Sequence, residues 1–434
     1  MEGHPAPDRP TRGVLRLAVV MVVAAVAGLA ALVGAAMGSA RPPVFLGAGL
    51  VVFLAATAAG VALATRKLPV ARRGRMRLVA LAVGGLGVAV FAVTVLVPVG
   101  DPRLPPASVA GQRWWQLLTG SRIAYVHLPA HGRPRPTPVV FLHGGPGIAD
   151  MAGDAASFGQ LARDGFDLWV YDQVGTGRSS RLTDPRGYTI ARSVADLEAI
   201  RRRIGADRMV LLGHSYGAQV AAAYLAAHPD HVAKVVFSSP GALAPALDDG
   251  TAGGVRGRLS SSQQLGLYRL LLRPRMLLAY ALLQVNPLAA HAFAGDAEMD
   301  ARNDRVYNAG RAGTHCRGLP SGRALHGLGF YAFQFPQSAA ARPWADPRPE
   351  LARLRTPALV VKGSCDYLSW KSGLAYRQAL PDARLVYLHH AGHNAYQDQP
   401  ALFLTLMRAF LTGRPLPVTP WTSSAVPADY EGPR

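Results

Sequence analysis

Three stretches of this chain are apolar without interruption: residues 17–38, 44–64 and 78–99 contain no Asp, Glu, Lys, Arg or His. Each reaches the roughly 20 residues needed to cross the hydrocarbon core of a bilayer, which predicts three transmembrane helices in a region spanning 1–100. The small residues Gly38, Ser39 and Ala40 also suit a cleavage site, which would make the first run a leader followed by two spans.

Beyond a linker at 101–112, stiffened by Pro102, Pro105 and Pro106, the pattern changes. Short β-rich runs at 138–142, 166–171, 209–212, 232–237, 358–361 and 383–388 alternate with helix-length stretches at 157–164, 190–204, 216–227, 372–379 and 400–411. That alternation predicts the α/β class: a mostly parallel sheet flanked by helices, in two parts, 113–240 and 350–413. Between them, over 241–349, Leu-rich helical segments replace the alternation and predict an inserted helical cap. Inside the cap, the apolar run 276–294 is broken by Gln284, Asn286, Pro287 and His291. The break predicts two cap helices meeting at a turn and packed under the lid, with contact to lipid headgroups as the alternative. Pro415, Pro417 and Pro420 mark an extended tail over 414–434.

Of the 434 residues, 50% are hydrophobic and 17% charged, which excludes a disordered polyelectrolyte. The net charge of +20 raises nucleic acid as a partner, but no basic stripe with interleaved aromatics occurs, so that class is set aside. The placement of the cations is more informative. Arg66, Lys67, Arg72, Arg73, Arg75 and Arg77 lie between the second and third runs, and Arg9, Arg12 and Arg16 precede the first, whereas the opposite loop holds only Arg41. Positive residues near span ends stay cytoplasmic, so the chain is expected to be a multi-pass cell-membrane protein with everything after Gly100 outside. Both cysteines, Cys316 and Cys365, fall in that exported part, where a disulfide is permitted; the sequence leaves their pairing open. Without clustered His or acidic partners they predict no metal site.

The chemistry concentrates in a few short motifs. Gly213-His214-Ser215-Tyr216-Gly217 follows one predicted strand and opens a helix, the context of a nucleophile elbow. A serine hydroxyl needs a base and a group that orients the base. Asp366 follows the strand 358–361 in Lys362-Gly363-Ser364-Cys365-Asp366, and His393 follows the strand 383–388 in Ala391-Gly392-His393-Asn394. His393 is preferred over His389 and His390 because it alone follows a Gly at the start of a loop. The order Ser, Asp, His is that of α/β-hydrolases. Leu142-His143-Gly144-Gly145-Pro146-Gly147 supplies bare backbone for an oxyanion hole, with Gly145 as first donor and the N–H of Tyr216 as second.

These residues resemble the prolyl iminopeptidase family of α/β-hydrolase serine peptidases. His143-Gly144-Gly145-Pro146-Gly147 matches the oxyanion signature, and Asp172-Gln173-Val174-Gly175-Thr176-Gly177-Arg178-Ser179 is similar to the family's D-Q-R-G-x-G-x-S loop. Val174 departs from the usual Arg, and His214 and Tyr216 stand where Gly and Trp are typical. The resemblance covers roughly 122–411 and implies release of an N-terminal residue from short peptides under a helical cap. An aminopeptidase needs a carboxylate for the substrate ammonium, and Glu298 or Asp304 of the cap is the expected anchor, against a solvated, ion-paired helix face. The expected function is a membrane-anchored serine aminopeptidase acting through an acyl-enzyme on short peptides or small acyl substrates, without a cofactor. An esterase or lipase using the same triad, and a non-catalytic binding module, are the alternatives.

Overall fold

The structure, a computed structural model, describes residues 9–247 and 254–433. The start of the 1–100 region, residues 248–253 of the predicted cap, residue 434 of the tail and the side chains of Arg9 and Arg12 lie outside the described residues.

By its internal contacts the chain forms two units, one of Met1–Gly100 with Leu272–Gly295 and one of Asp101–Leu271 with Asp296–Arg434. The first unit contains three long helices, α1 (Arg9–Gly38), α2 (Pro42–Thr65) and α3 (Val70–Phe91), the last continued by a π-helical turn at Ala92–Leu96. Spans of mean hydropathy 2.7, 2.3 and 2.5 lie at Gly13–Gly38, Pro42–Thr65 and Val70–Leu96, long and apolar enough to cross a membrane. α3 starts eight residues before the predicted third run, so Arg72 to Arg77 occupy its first turns. Arg73 is held there by the carbonyls of Leu68 and Arg66. α1 and α2 approach closely through small residues: a Cβ on Gly49 would lie 2.9 Å from that of Leu32, and one on Gly60 would lie 2.6 Å from Val20.

The second unit is built on eight strands: β1 (Arg113–Gln116), β2 (Arg122–Leu128), β3 (Val139–Leu142), β4 (Leu168–Tyr171), β5 (Met209–His214), β6 (Val232–Ser238), β7 (Ala358–Gly363) and β8 (Ala383–Leu388). Their order is β1-β2-β4-β3-β5-β6-β7-β8, antiparallel from β1 to β4 and parallel from β4 to β8. β3, β5 and β7 are buried along their whole length, as expected of central parallel strands covered on both faces. The covering helices are α4 (Met151–Phe158), α5 (Ile190–Ile204) and α6 (Tyr216–Ala227) from the first part of the core. α4 replaces the expected helix at 157–164, where the chain instead makes a 3-10 turn, Gly159–Asp164. The reason is capping: the Asp150 side chain accepts the N–H of Gly153, starting the helix early.

The insertion between β6 and β7 carries α7 (Gly254–Gly257), α8 (Ser261–Leu271), α9 (Pro274–Val285), α10 (Pro287–Phe293), α11 (Asp296–Gly310), α12 (Phe330–Gln334) and α13 (Arg348–Leu351). The run 276–294 does form two helices meeting at Asn286-Pro287, but it does not pack under the lid: α9 and α10 belong to the unit of α1–α3. α14 (Trp370–Ala379), α15 (Ala395–Asp398) and α16 (Pro400–Thr412) complete the core. The tail has no regular element, yet it is pinned: Trp421 N–H donates to Leu385, Glu431 N–H to Ser364, and the Tyr430 hydroxyl is buried against the carbonyls of Asp366 and Leu368.

Candidate active site

Ligand sites in open parallel sheets form beyond the carboxyl ends of the strands, and here four strand ends converge. β5 is followed directly by Ser215, whose φ of 53° and ψ of −114° are sterically strained for a non-glycine residue. Such strain is held by its surroundings. A Cβ on Gly213 would lie 2.5 Å from the Gly217 carbonyl oxygen, and one on Gly217 would lie 2.1 Å from that of Leu142, so the elbow closes only with glycine at both places. Ser215 N–H donates to Ser238 on β6, 2.9 Å, fixing the turn to the sheet.

β7 leads to Asp366 and β8 to His393, and the two side chains meet: His393 Nδ1–H donates to Asp366 Oδ1 at 2.9 Å. Asp366 is fully buried. Burial alone would raise its pKa, but the Lys362 ammonium, with the His393 imidazole, holds the carboxyl well below the usual carboxylate range. Lys362 is itself fully buried, with Nζ 2.7 Å from Asp366 Oδ2 and further bonds to the Leu368 carbonyl and Ser372 hydroxyl. Leu368 N–H gives Asp366 Oδ1 a further donor. The imidazole of His393 is framed by the rings of Tyr367 and His214, 4.4 and 4.8 Å away between centroids.

The His393 loop is gripped by the cap. His393 N–H donates to the Thr314 carbonyl, and a Cβ on the preceding Gly392 would lie 2.7 Å from that same oxygen, so the glycine permits the close approach. Asp398 bonds the N–H of Gly392, the N–H of Cys316 and the His315 ring. Cys316 is disulfide-bonded to Cys365, the neighbour of Asp366, with a Cα–Cα distance of 5.2 Å. One short cap segment thus ties both loops that carry the expected acid and base.

The glycine-rich run after β3 and the loop after β4 form one interlocked device. His143 Nε2 accepts the N–H of Gln173, so its proton sits on Nδ1 and is donated to the Gly144 carbonyl. Burial pushes this imidazole down to about 4 and keeps it neutral. Gln173 also donates to the His143 carbonyl, and Thr176 to that of Gly147. The carboxylate of Asp172 accepts from Arg178 N–H; burial pushes it up to about 7. Gly145 has a φ of +119°, and its N–H meets no acceptor among the described residues. Tyr216 N–H is one of the orphan donors in the first turn of α6. Both residues line a cavity of about 1410 Å³ together with Ser215 and His393.

Glu298 and Asp304 are placed elsewhere. Neither lines this cavity. Asp304 accepts the N–H groups of Gly327 and Leu328, and the neighbouring Asp300 binds Arg181 and the N–H of Phe330. The acidic face of α11 therefore shapes the segment 327–330, whose Gly329 N–H donates to the Gly147 carbonyl of the glycine-rich run. The carboxylates that do line the cavity are Asp150, which caps α4, Asp154 within it, and Asp398 at the end of α15. Lys362, Gln173 and the Cys316–Cys365 bond had no recognisable signal as site elements in the sequence, although the motifs contained the first two.

The geometry makes one direct test available. In Gly145→Ala the new Cβ would lie 2.6 Å from the backbone nitrogens of Gly147 and Ile148, so the loop must move and carry its N–H away. Turnover is expected to fall about 10²- to 10³-fold with KM little changed, as for loss of one oxyanion donor. Steady-state kinetics of the purified variant check this, and an unaltered kcat would remove Gly145 from the site.

The alpha/beta hydrolase fold family profile matches residues 137–400. A proline iminopeptidase of Heyndrickxia coagulans is 38% identical over 128 residues, which cover 30% of this chain and 43% of the relative. One of Saccharolobus solfataricus is 37% identical over 102 residues, covering 23% and 32%. The matched stretch is thus less than half the length of either relative. Among solved structures, the proline iminopeptidase of Mycobacterium smegmatis shares 22% identity at a TM-score of 0.47, covering 70% of this chain and 98% of its own. VinJ shares 20% at 0.48, covering 71% and 99%.

Proposed function

The chain belongs to the alpha/beta hydrolase fold family, and from that premise we propose that it is a membrane-anchored serine hydrolase, an aminopeptidase of prolyl iminopeptidase type that acts on short peptides. The observation that carries the proposal is the buried Lys362–Asp366–His393 chain ending at the cavity into which the strained Ser215 elbow opens.

His393 takes the proton of Ser215 as the hydroxyl attacks the scissile carbonyl. The oxyanion is held by the N–H groups of Gly145 and Tyr216. Asp366 keeps the imidazole in the tautomer with a proton on Nδ1 and stabilises the imidazolium. His393 then protonates the leaving amine, and water, deprotonated by the same imidazole, hydrolyses the acyl-enzyme. The peptidase assignment is supported by the curated relatives, named as proline iminopeptidases.

A second reading, an esterase acting on small acyl esters, is favoured by one observation: neither Glu298 nor Asp304 lines the cavity, and the carboxylates that do, Asp150, Asp154 and Asp398, already bond Arg323, Tyr396 and His315. Turnover of a proline arylamide beside that of a short-chain aryl ester separates the two. Efficient arylamide cleavage is expected. Ester cleavage without arylamide cleavage would discard the aminopeptidase and leave the hydrolase.

The spans anchor the protein in the membrane, with the catalytic unit outside. The distribution of Arg and Lys around the spans supports that orientation, and so does the Cys316–Cys365 bond, which persists in an oxidising compartment.

A further inference from the structure

Residues 272–295 interrupt the cap between α8 and α11, yet they pack with the long apolar helices. From 276 to 295 there is no Asp, Glu, Lys or Arg. α9 has 12 residues and α10 has 7, so at about 1.5 Å per residue neither reaches the roughly 30 Å of a bilayer's hydrocarbon core. The hairpin is fastened by two polar side chains. Arg275, 5% exposed, donates to the carbonyls of Val95, Leu96 and Phe293 and lies 4.4 Å from the centre of the Phe293 ring. Asn286 donates to the Ala36 carbonyl while its own oxygen accepts the N–H groups of Leu288 and Ala289.

Ala36 lies in the last turn of α1, and Val95 and Leu96 close the turn that ends α3. The final carbonyls of a helix have no intrahelical donor and in hydrocarbon would be costly to leave bare. Arg275 and Asn286 supply those donors, and the Arg275 cation also complements the negative end of α3. The ends of α1 and α3 share one membrane face because one helix, α2, separates them. The hairpin's inner residues, among them Met276, Ala279, Leu282 and Leu283, are buried. Its opposite side exposes Leu277, Ala281 and Gln284 at helical spacing, and Ala292 on α10. An exposed, uncharged face continuous with membrane spans fits acyl chains.

We propose that 272–295 is a re-entrant membrane hairpin that caps the C-terminal ends of α1 and α3 and buries its outer face in lipid. It rests on the assignment of α1–α3 as membrane spans. The chain then passes between membrane and hydrolase at 100–101, 271–272 and 295–296, so the cap is tethered on both sides of its insertion. The residues flanking those passages are clasped within the hydrolase: Arg302, 1% exposed, binds Asp101 and the Leu270 carbonyl.

The full-length protein in phosphatidylcholine vesicles provides the test. Single cysteines at Ala281→Cys, Ala292→Cys, Leu54→Cys on α2 and Leu118→Cys in the hydrolase are labelled with an environment-sensitive maleimide under non-reducing conditions, which leave Cys316 and Cys365 bonded. Blue-shifted emission quenched by doxyl-labelled lipid is expected at 281, 292 and 54, with water-like emission at 118. Water-like emission at 281 and 292 with quenching at 54 overturns the hairpin while the spans stand. A blue shift at 281 and 292 without lipid quenching means a protein covers the face and overturns it too. Absence of quenching at 54 overturns the spans and the hairpin together.

Discussion

Ser215→Ala leaves the full-length protein folded and lowers kcat by about 10⁵- to 10⁶-fold, the loss seen when a serine hydrolase is deprived of its nucleophile. The substitution removes one oxygen and keeps the Cβ, so the tight fit to Gly144, 3.0 Å from an added Cβ there, is preserved. Alanine tolerates the elbow's positive φ as poorly as serine, so the backbone gains no new strain. Asp366→Asn is the companion: the imidazole loses its orienting carboxylate and the buried Lys362 its counter-ion, so kcat drops at least about 10⁴-fold together with a loss of stability. Residual activity in both comes from the oxyanion hole and substrate binding. Steady-state kinetics with circular dichroism check both variants. A Ser215→Ala protein that retains more than a small fraction of turnover places the nucleophile elsewhere.

The second large effect belongs to Lys362. Lys362→Met leaves the Asp366 carboxylate buried with the His393 imidazole and the Leu368 N–H as its donors. Breaking a buried pair by removing one partner costs about 3 to 5 kcal/mol. The pH dependence carries the diagnosis. In the wild type the depressed pKa of Asp366 means that its ionised form stabilises the fold in full above the ordinary carboxylate pKa, and that contribution is lost progressively as pH falls from there toward the depressed value. Without the ammonium, proton uptake by the Asp366–His393 pair is no longer opposed by a cation. The acid limb of kcat/KM therefore moves to higher pH. The stability difference from wild type shrinks as pH falls, because protonation relieves the buried charge. Thermal unfolding and pH–rate profiles at several pH values measure both. An unmoved acid limb with a pH-independent stability loss would make Lys362 a packing residue alone.

The parts of the molecule legible in the sequence were those with a short-range physical signature. Central parallel strands are buried on both faces, so β3, β5 and β7 read as apolar runs, and each motif follows one of them, β4 or β8. The placement of Ser215, Asp366 and His393 follows from that topology. β1 gave no such signal, because Arg-Trp-Trp-Gln is a four-residue, largely exposed edge strand. The role of Lys362 was hidden for the opposite reason: a lysine in an apolar strand reads as a strand end, and only tertiary packing brings Asp366 onto its ammonium. Charge spacing identified α11 as an acidic helix but said nothing about what its face meets, and Asp304 and Asp300 meet backbone N–H groups. Likewise, the break at Asn286-Pro287 predicted two helices and could not say which unit they join.

The central claim is that Ser215 is a nucleophile activated by His393 and Asp366. Its most direct measurement is covalent labelling of the full-length protein by a fluorophosphonate, followed by mass spectrometry of the modified peptide. A single adduct on Ser215, absent from Ser215→Ala and strongly slowed in Asp366→Asn, is the predicted result. Labelling that persists in Ser215→Ala, or no labelling of the wild-type protein, would contradict it.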